Sequence, residues 1–281
     1  MRVIQVQEDP VDVLTYYRVR EGSKGKETLD VPFYAVHTDS LPHGISALIA
    51  TSDLQGVEAL SRPKGRIKPG HRLVGHAVAE KCSKILDSLG LDSGRAGVFL
   101  AGDLHSDVTL SKRGGYGDVR DIWMAFRERF RWCVGVAGNH DTFGGVADLE
   151  AFKRVTGIHL LNGNLITVNG LRIGGVSGVI GTSTSKPWRQ PPDAYKRLVD
   201  QALRASPRLF LLHEGPSIRE KGLDGRDETR GYIEAWPPCI VICGHRNWPG
   251  NRMEMLSNGG QVLNVEGKVV LFIKTGCLHR R

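Results

Sequence analysis

Five short, continuously apolar runs each end on a glycine or a polar residue, and this repeated device limits the fold more than any other feature of the chain. Ala47–Thr51 leads to Asp53-Leu54-Gln55-Gly56, Val98–Ala101 to Gly102-Asp103, and Trp132–Ala137 to Gly138-Asn139-His140-Asp141. Leu209–Leu212 leads to His213, and Cys239–Cys243 to Gly244-His245-Arg246-Asn247. Apolar runs without alternation suit strands buried on both faces, and the segments between several of them read as helices.

In open α/β sheets, ligands gather at the carboxyl ends of the strands. Five such ends would deliver Asp53, Asp103, Asn139-His140, His213 and His245 to one edge. Carboxylates, an amide oxygen and imidazoles together make a metal-binding set with one histidine left over. In the Gly138-Asn139-His140-Asp141 turn, Asn139 can offer its carbonyl oxygen to a metal and His140 an imidazole. Asp141 can orient that imidazole or serve as a loop carboxylate.

The order of these elements resembles the calcineurin-like metallophosphoesterases, whose pattern runs Asp-x-His, Gly-Asp, Gly-Asn-His-(Asp/Glu), a lone His at a strand end, then Gly-His-x-His. The resemblance covers about residues 46–275. It implies a four-layer αββα sandwich of two mixed β-sheets flanked by helices, with metals at the sheet edge. It also implies hydrolysis of a phosphomonoester or phosphodiester by water activated between two divalent metals, which neutralise the phosphoryl group and make water nucleophilic near neutral pH. By the resemblance, Asp103 bridges the metals, Asp53 holds one, and Asn139, His213 and His245 hold the other. His140 faces the leaving group, with Asp141 behind it.

Two positions depart from the pattern: Gln55 and Asn247 stand where histidines are expected, and both fall on the first metal. Amide oxygens there make that site harder and weaker, suited to Mg²⁺, Mn²⁺ or Ca²⁺. The other site suits Mn²⁺, Fe²⁺ or Zn²⁺, and Mn²⁺ is the foremost expectation for the pair. His105, two residues after Asp103, reads as a loop histidine, with substitution for a missing ligand as the alternative. Asp107 reads as a structural carboxylate bonding nearby backbone.

The bulk properties agree with a soluble α/β domain. The chain has 281 residues, net charge +8 and pI about 9.4. A basic surface favours anionic substrates, such as a phosphate-ester small molecule or nucleotide, and permits nucleic-acid binding. The densest basic stretch, Arg62 to Lys68, reads as a solvated loop or a phosphate-gripping rim, with too few aromatics for a base-stacking platform. No apolar stretch approaches the roughly 20 residues needed to cross a bilayer, and no signal peptide is evident, so no membrane partner is expected. Five cysteines fit neither a full disulfide set nor a zinc framework and point to a reducing cytoplasm. Two other readings stand beside the phosphoesterase: a nuclease of the same chemistry, and a metal-depleted interaction protein. The oligomeric state is open.

Periodicity places helices over His71 to Leu89, Asp118 to Phe130, Asp148 to about Gly157, and Asp193 to Ala205. Leu160–Val168 and Leu171–Val176 read as a hairpin turning at Asn169-Gly170, and Met253–Ile273 as short β pieces. Residues 1–45 read as a β-hairpin extension packed on a main domain of residues 46–275, and 276–281 as a basic tail. Glycines 174–181 suggest close backbone approach near the site. Lys186, Trp188 and Arg189 lie in a loop that could overhang it, and Arg246 and Trp248 could touch substrate or pack.

Overall fold

The apolar runs form central strands of two mixed sheets packed face to face, with helices on the outer sides. This computed structural model describes residues 1–20, 25–61, 67–111, 114–183 and 187–275. Expectations placed on residues 21–24, 62–66 and 186, and on the tail 276–281 with Cys277 and His279, lie outside the described residues.

The chain begins with β1 (Val3–Val6), β2 (Asp12–Val19), β3 (Lys26–Thr38), β4 (Ala47–Thr51), β5 (Val57–Ser61), β6 (Ile67–Leu73) and α1 (Val74–Ser88). It continues through β7 (Ala96–Leu100), β8 (Gly117–Asp118), α2 (Arg120–Arg129), β9 (Trp132–Gly135), β10 (Asp141–Thr142), α3 (Val146–Phe152) and β11 (Ile158–Leu160). Then come β12 (Asn164–Val168), β13 (Leu171–Val176), β14 (Val179–Ile180), β15 (Arg189–Gln190), α4 (Pro192–Arg204) and β16 (Leu209–Glu214). The last elements are α5 (Asp227–Glu234), β17 (Ile240–Gly244), β18 (Met253–Met255), β19 (Gln261–Asn264) and β20 (Val269–Lys274).

The first sheet runs β11-β9-β7-β4-β20-β3-β2-β5-β6, with β1 on β3. Strands β4, β7, β9 and β11 are parallel neighbours, so their carboxyl ends share one edge. The second sheet runs β12-β13-β16-β17-β19-β18, and β13, β16, β17 and β19 are parallel. The N-terminal hairpin β2–β3 enters the first sheet through β3, which lies parallel to β20.

Side-chain alternation explains the continuous apolar runs. On β4, Ala47 and Ile49 face α1 and α2, while Leu48 and Ala50 face the second sheet. On β16, Leu209 and Leu211 face the first sheet, and Phe210 and Leu212 face the layer of α4 and α5. Among the described residues, three large buried cores therefore separate four layers, and a small cluster of Val19, Val57 and Leu110 stands apart from them.

Local differences have local causes. The helix expected from His71 begins at Val74, because the β5–β6 ladder claims the backbone as far as Leu73, opposite Val57. The strand expected over Leu160–Val168 is two strands. β11 pairs with β9 in the first sheet, β12 pairs with β13 in the second, and the chain changes sheets between them. The Asn169-Gly170 turn forms as expected, with both residues at positive φ, 48° and 76°. Helix α5 had no counterpart in the sequence reading.

Phe272 on β20 is fully buried between the sheets. Phe272→Ala should lower unfolding free energy by about 3–5 kcal/mol in urea titration. Val13→Ala, at an exposed strand position, should stay within about 0.5 kcal/mol of the parent.

Candidate metal centre

The shared edge is built by loops that interlock so tightly that only glycine fits at three points. A Cβ on Gly102 would lie 2.4 Å from the Gly138 nitrogen, and one on Gly138 would lie 2.0 Å from Asp103 Oδ1. A Cβ on Gly244 would lie 2.3 Å from Asp53 Oδ2. Asp53, Asp103 and His245 all adopt positive φ, 55°, 54° and 68°. These non-glycine residues hold an uncommon backbone conformation at three strand ends, which turns each side chain across the edge.

Asp141 ties the first two loops together. Its Oδ2 accepts N–H bonds from Asp103 and Gly138, both 2.8 Å, and its Oδ1 accepts from Leu104, 2.8 Å. Asp103 answers by accepting the His140 backbone N–H at Oδ1, 2.8 Å. Asp141 is thus engaged with backbone and not with the His140 ring, because its carboxylate points inward at the loop crossing. The ring is held instead by the Gly115 carbonyl, 2.9 Å from Nδ1, and by stacking on Tyr116 at 5.2 Å and 14°. Neither contact was read from the sequence; the Gly114-Gly115-Tyr116 turn was its only local signal.

Asp103, His213 and His245 form the metal-sized group: one ligand atom from each lies within 4.8 Å of the others. His213 continues the inward face of β16 and reaches the first sheet, where its Nδ1 meets the Ala101 carbonyl at 2.8 Å. Its Nε2 is 3.3 Å from Asp103 Oδ2. The rings of His213 and His245 are 4.9 Å apart at 61°. Asp53 lies at the adjoining strand end, its Oδ2 accepting the His245 N–H at 2.9 Å.

Other expected residues are placed as follows. Asn139 is buried, and its Oδ1 has no hydrogen-bond partner among the described residues. Gln55 donates its amide nitrogen to Asp103 Oδ2 at 3.2 Å, so as a ligand its amide would have to turn over. Asn247 is exposed, with no hydrogen bond to these residues. His105 is outside the three-residue group; its ring packs where a Cβ on Gly117 would sit, 2.0 Å from Cε1. Asp107 accepts from the backbone of Thr109 and Ser111. Trp248 is buried, donating to the Asp224 carbonyl at 2.6 Å, while Arg246 stays exposed. Trp188 donates to the Asp141 carbonyl at 3.0 Å, anchoring the loop that carries His140. The four described cysteines are buried and free.

A carboxylate absent from the sequence reading also borders the group. Glu214, directly after His213, is buried, accepts from Ile180 N–H at 2.9 Å and pairs with Arg226 at 3.1 Å. A charged residue closing an apolar run was the signal for it.

The electrostatics fit a divalent cation. Burial pushes Asp53 up to about 8, with Asp103 and Glu266 adding repulsion and His213 opposing. Burial would also raise Asp103, but the His213 charge beside it brings it below the usual carboxylate range. Burial works against a charged His213, yet Asp103 and Asp53 carry it up to about 10. Burial and His213 lower His245 to about 3. Burial and Asp103 raise Asp141 to about 6 against its backbone hydrogen bonds. Clustered carboxylates, a buried amide oxygen without a partner among the described residues and two imidazoles are a donor set that fits a cation.

Fold and site together define a two-sheet α/β protein with an Asp-His-His group at the common carboxyl edge. No family model matches the chain, and no curated protein matches it. Among solved structures the chain is similar to a 5′-nucleotidase from Candida albicans SC5314, with 13% identity and a TM-score of 0.44, over 81% of this chain and 46% of that one. The chain therefore matches less than half of the nucleotidase's length. It is also similar to a protein of unknown function from Aquifex aeolicus, with 14% identity and a TM-score of 0.35, over 80% of this chain and 95% of that one. The functional reading rests on the site's own geometry. Among the described residues no helix is long and apolar enough to cross a membrane.

Asp53 and His213 bind protons more tightly folded than unfolded, being raised from 3.8 to about 8 and from 6.5 to about 10. Stability from such groups is present below the unfolded values and lost as pH rises through the folded ones. The opposite slope from His245, lowered from 6.5 to about 3, fades as pH rises past 6.5. Thermal unfolding in chelator should therefore show falling stability from about pH 6.5 to about 8. Saturating Mn²⁺ should flatten that slope, since the cation replaces the protons. A metal-free protein that gains stability across this window would contradict the arrangement.

Proposed function

We propose that this chain is a metal-dependent phosphoesterase that hydrolyses a phosphomonoester or phosphodiester. The observation that carries the reading is the approach of Asp103, His213 and His245 at a shared strand edge, with ligand atoms within 4.8 Å of one another. In the proposed assignment Asp103 would help to hold both cations. Asp53 serves one of them, with Gln55 and Asn247 as weak amide donors, and Asn139, His213 and His245 serve the other.

When bound, divalent cations would neutralise phosphoryl oxygens and lower the pKa of water from 15.7 to about 7. The chain's own residues supply position and a proton. The Gly115 carbonyl accepts only an N–H, so it fixes the His140 proton on Nδ1 and leaves Nε2 for the substrate. A protonated Nε2 would deliver its proton to the leaving oxygen. Tyr116 limits rotation of that ring by stacking on it. Asp141 acts through Asp103, whose backbone it holds. The net charge of +8 favours encounter with an anionic ester.

A panel of aryl phosphomonoesters and diesters, run with Mn²⁺, Mg²⁺, Zn²⁺ and Fe²⁺ beside metal analysis, tests the reading. Asp103→Asn should reduce turnover to background. His140→Ala should lower kcat by about 10²–10⁴-fold while metal content stays unchanged. Metal loss in His140→Ala would refute its assignment to the leaving group, and a native protein that takes up no metal would favour the interaction-protein reading.

The two amide positions make a separate forecast. Calorimetric titration of the native chain with Mn²⁺ should resolve two unequal affinities. Gln55→His with Asn247→His should bring them closer and shift the weaker site toward transition metals. Two equally tight native sites would show that the amides are not the weak point.

A further inference from the structure

We propose that Glu214 is the positioning residue for His245, and that it makes Nδ1 the atom this imidazole offers to a cation. The inference rests on the metal-centre reading and concerns the ring nitrogen that lies nearer Glu214, Nε2. A histidine that binds a metal through one nitrogen keeps its proton on the other, and that N–H needs an acceptor. Among the described residues, no hydrogen bond is made by the His245 ring, and its nearest carboxylate contact on that side is Glu214, with Oε1 3.9 Å from Nε2.

Glu214 is held as a positioning group would be. It closes β16 on the face opposite His213, at 2% exposure. Its Oε2 takes the Ile180 N–H at 2.9 Å, and its Oε1 faces Arg226 Nη2 at 3.1 Å. Arg226 in turn donates to the Ile180 carbonyl at 3.1 Å, so carboxylate and guanidinium are both held by the backbone of one residue, through the two peptide groups that flank it. A carboxylate has about four lone-pair directions, so Oε1 can accept a second N–H beside Arg226. The His245 backbone is pinned by its N–H bond to Asp53, which leaves only side-chain rotation free. A swing of about 1 Å closes the gap to hydrogen-bond distance.

A purely structural Glu214 would account for the Ile180 and Arg226 contacts alone. It would leave the imidazole's tautomer and metal affinity indifferent to the carboxylate. These two properties separate the alternatives.

Zn²⁺ is the probe, being diamagnetic. Long-range ¹H–¹⁵N spectra of the native protein with Zn²⁺ should show His245 bound through Nδ1 and protonated at Nε2. Glu214→Ala should weaken Zn²⁺ binding by about 10–100-fold in chelator competition. Glu214→Gln, which keeps an acceptor oxygen, should recover part of that loss. Thermal unfolding in chelator checks that both variants are folded, and if Glu214→Ala is not, the native spectrum decides. Zn²⁺ on Nε2, or Glu214→Ala binding within about twofold of the native protein, would overturn the inference and leave the metal centre standing. A native protein that binds no Zn²⁺ would remove the metal centre and the inference together.

Discussion

The reciprocal bonding of Asp103 and Asp141 is the interaction on which the site depends. Asp141 accepts the Asp103 and Leu104 amides, while Asp103 accepts the His140 amide. Each loop therefore holds the other through these bonds. Burial raises Asp141, and repulsion from the neighbouring Asp103 carboxylate adds to it. That repulsion is tolerable because backbone N–H groups absorb Asp141, leaving Asp103 to face the imidazoles. Hydrogen bonds to charged groups are stronger than neutral ones, so the crossing is rigid as well as crowded.

The second sheet completes what this crossing begins. Parallel neighbours β16 and β17 end beside the loops after β4, β7 and β9, and the inward face of β16 carries His213 to the first sheet. The apolar layer between the sheets keeps water from the buried ends of these side chains, which strengthens every charge interaction there. Outer contacts hold the rim: Trp188 on the Asp141 carbonyl, Glu214 and Arg226 around Ile180, and Gly115 with Tyr116 on His140. A chain that collapsed with correct strands but loose rim contacts would present the same residue types without a defined ligand geometry.

What the residues in order reveal is a matter of local chemistry. Apolar runs ending in Gly, Asp or His announce buried strands with polar carboxyl ends, and each such run appears as a strand or leads out of one. The Asn169-Gly170 turn is equally local, since a two-residue hairpin demands positive φ at both positions. Helix starts were less legible: periodicity continued through His71 to Leu73, where a strand ladder outcompetes the helix. The division of 158–168 between two sheets was also hidden, because both halves are β-forming and nothing local says which sheet receives them.

The sequence by itself determined which strand ends carry carboxylates, amides and imidazoles and in what order, because residue type and apolar spacing are properties of neighbours along the chain. Only the tertiary structure decided the direction of each side chain. It turned Asp141 to backbone, engaged Gln55 as a donor, left Asn247 in solvent and set His105 against Gly117. It also brought forward Glu214, Gly115 and Tyr116, whose roles depend on contacts across loops or strand ends distant in sequence. The physical reason is that a strand end specifies where a side chain starts, whereas the packing and hydrogen bonds of other segments specify where it points.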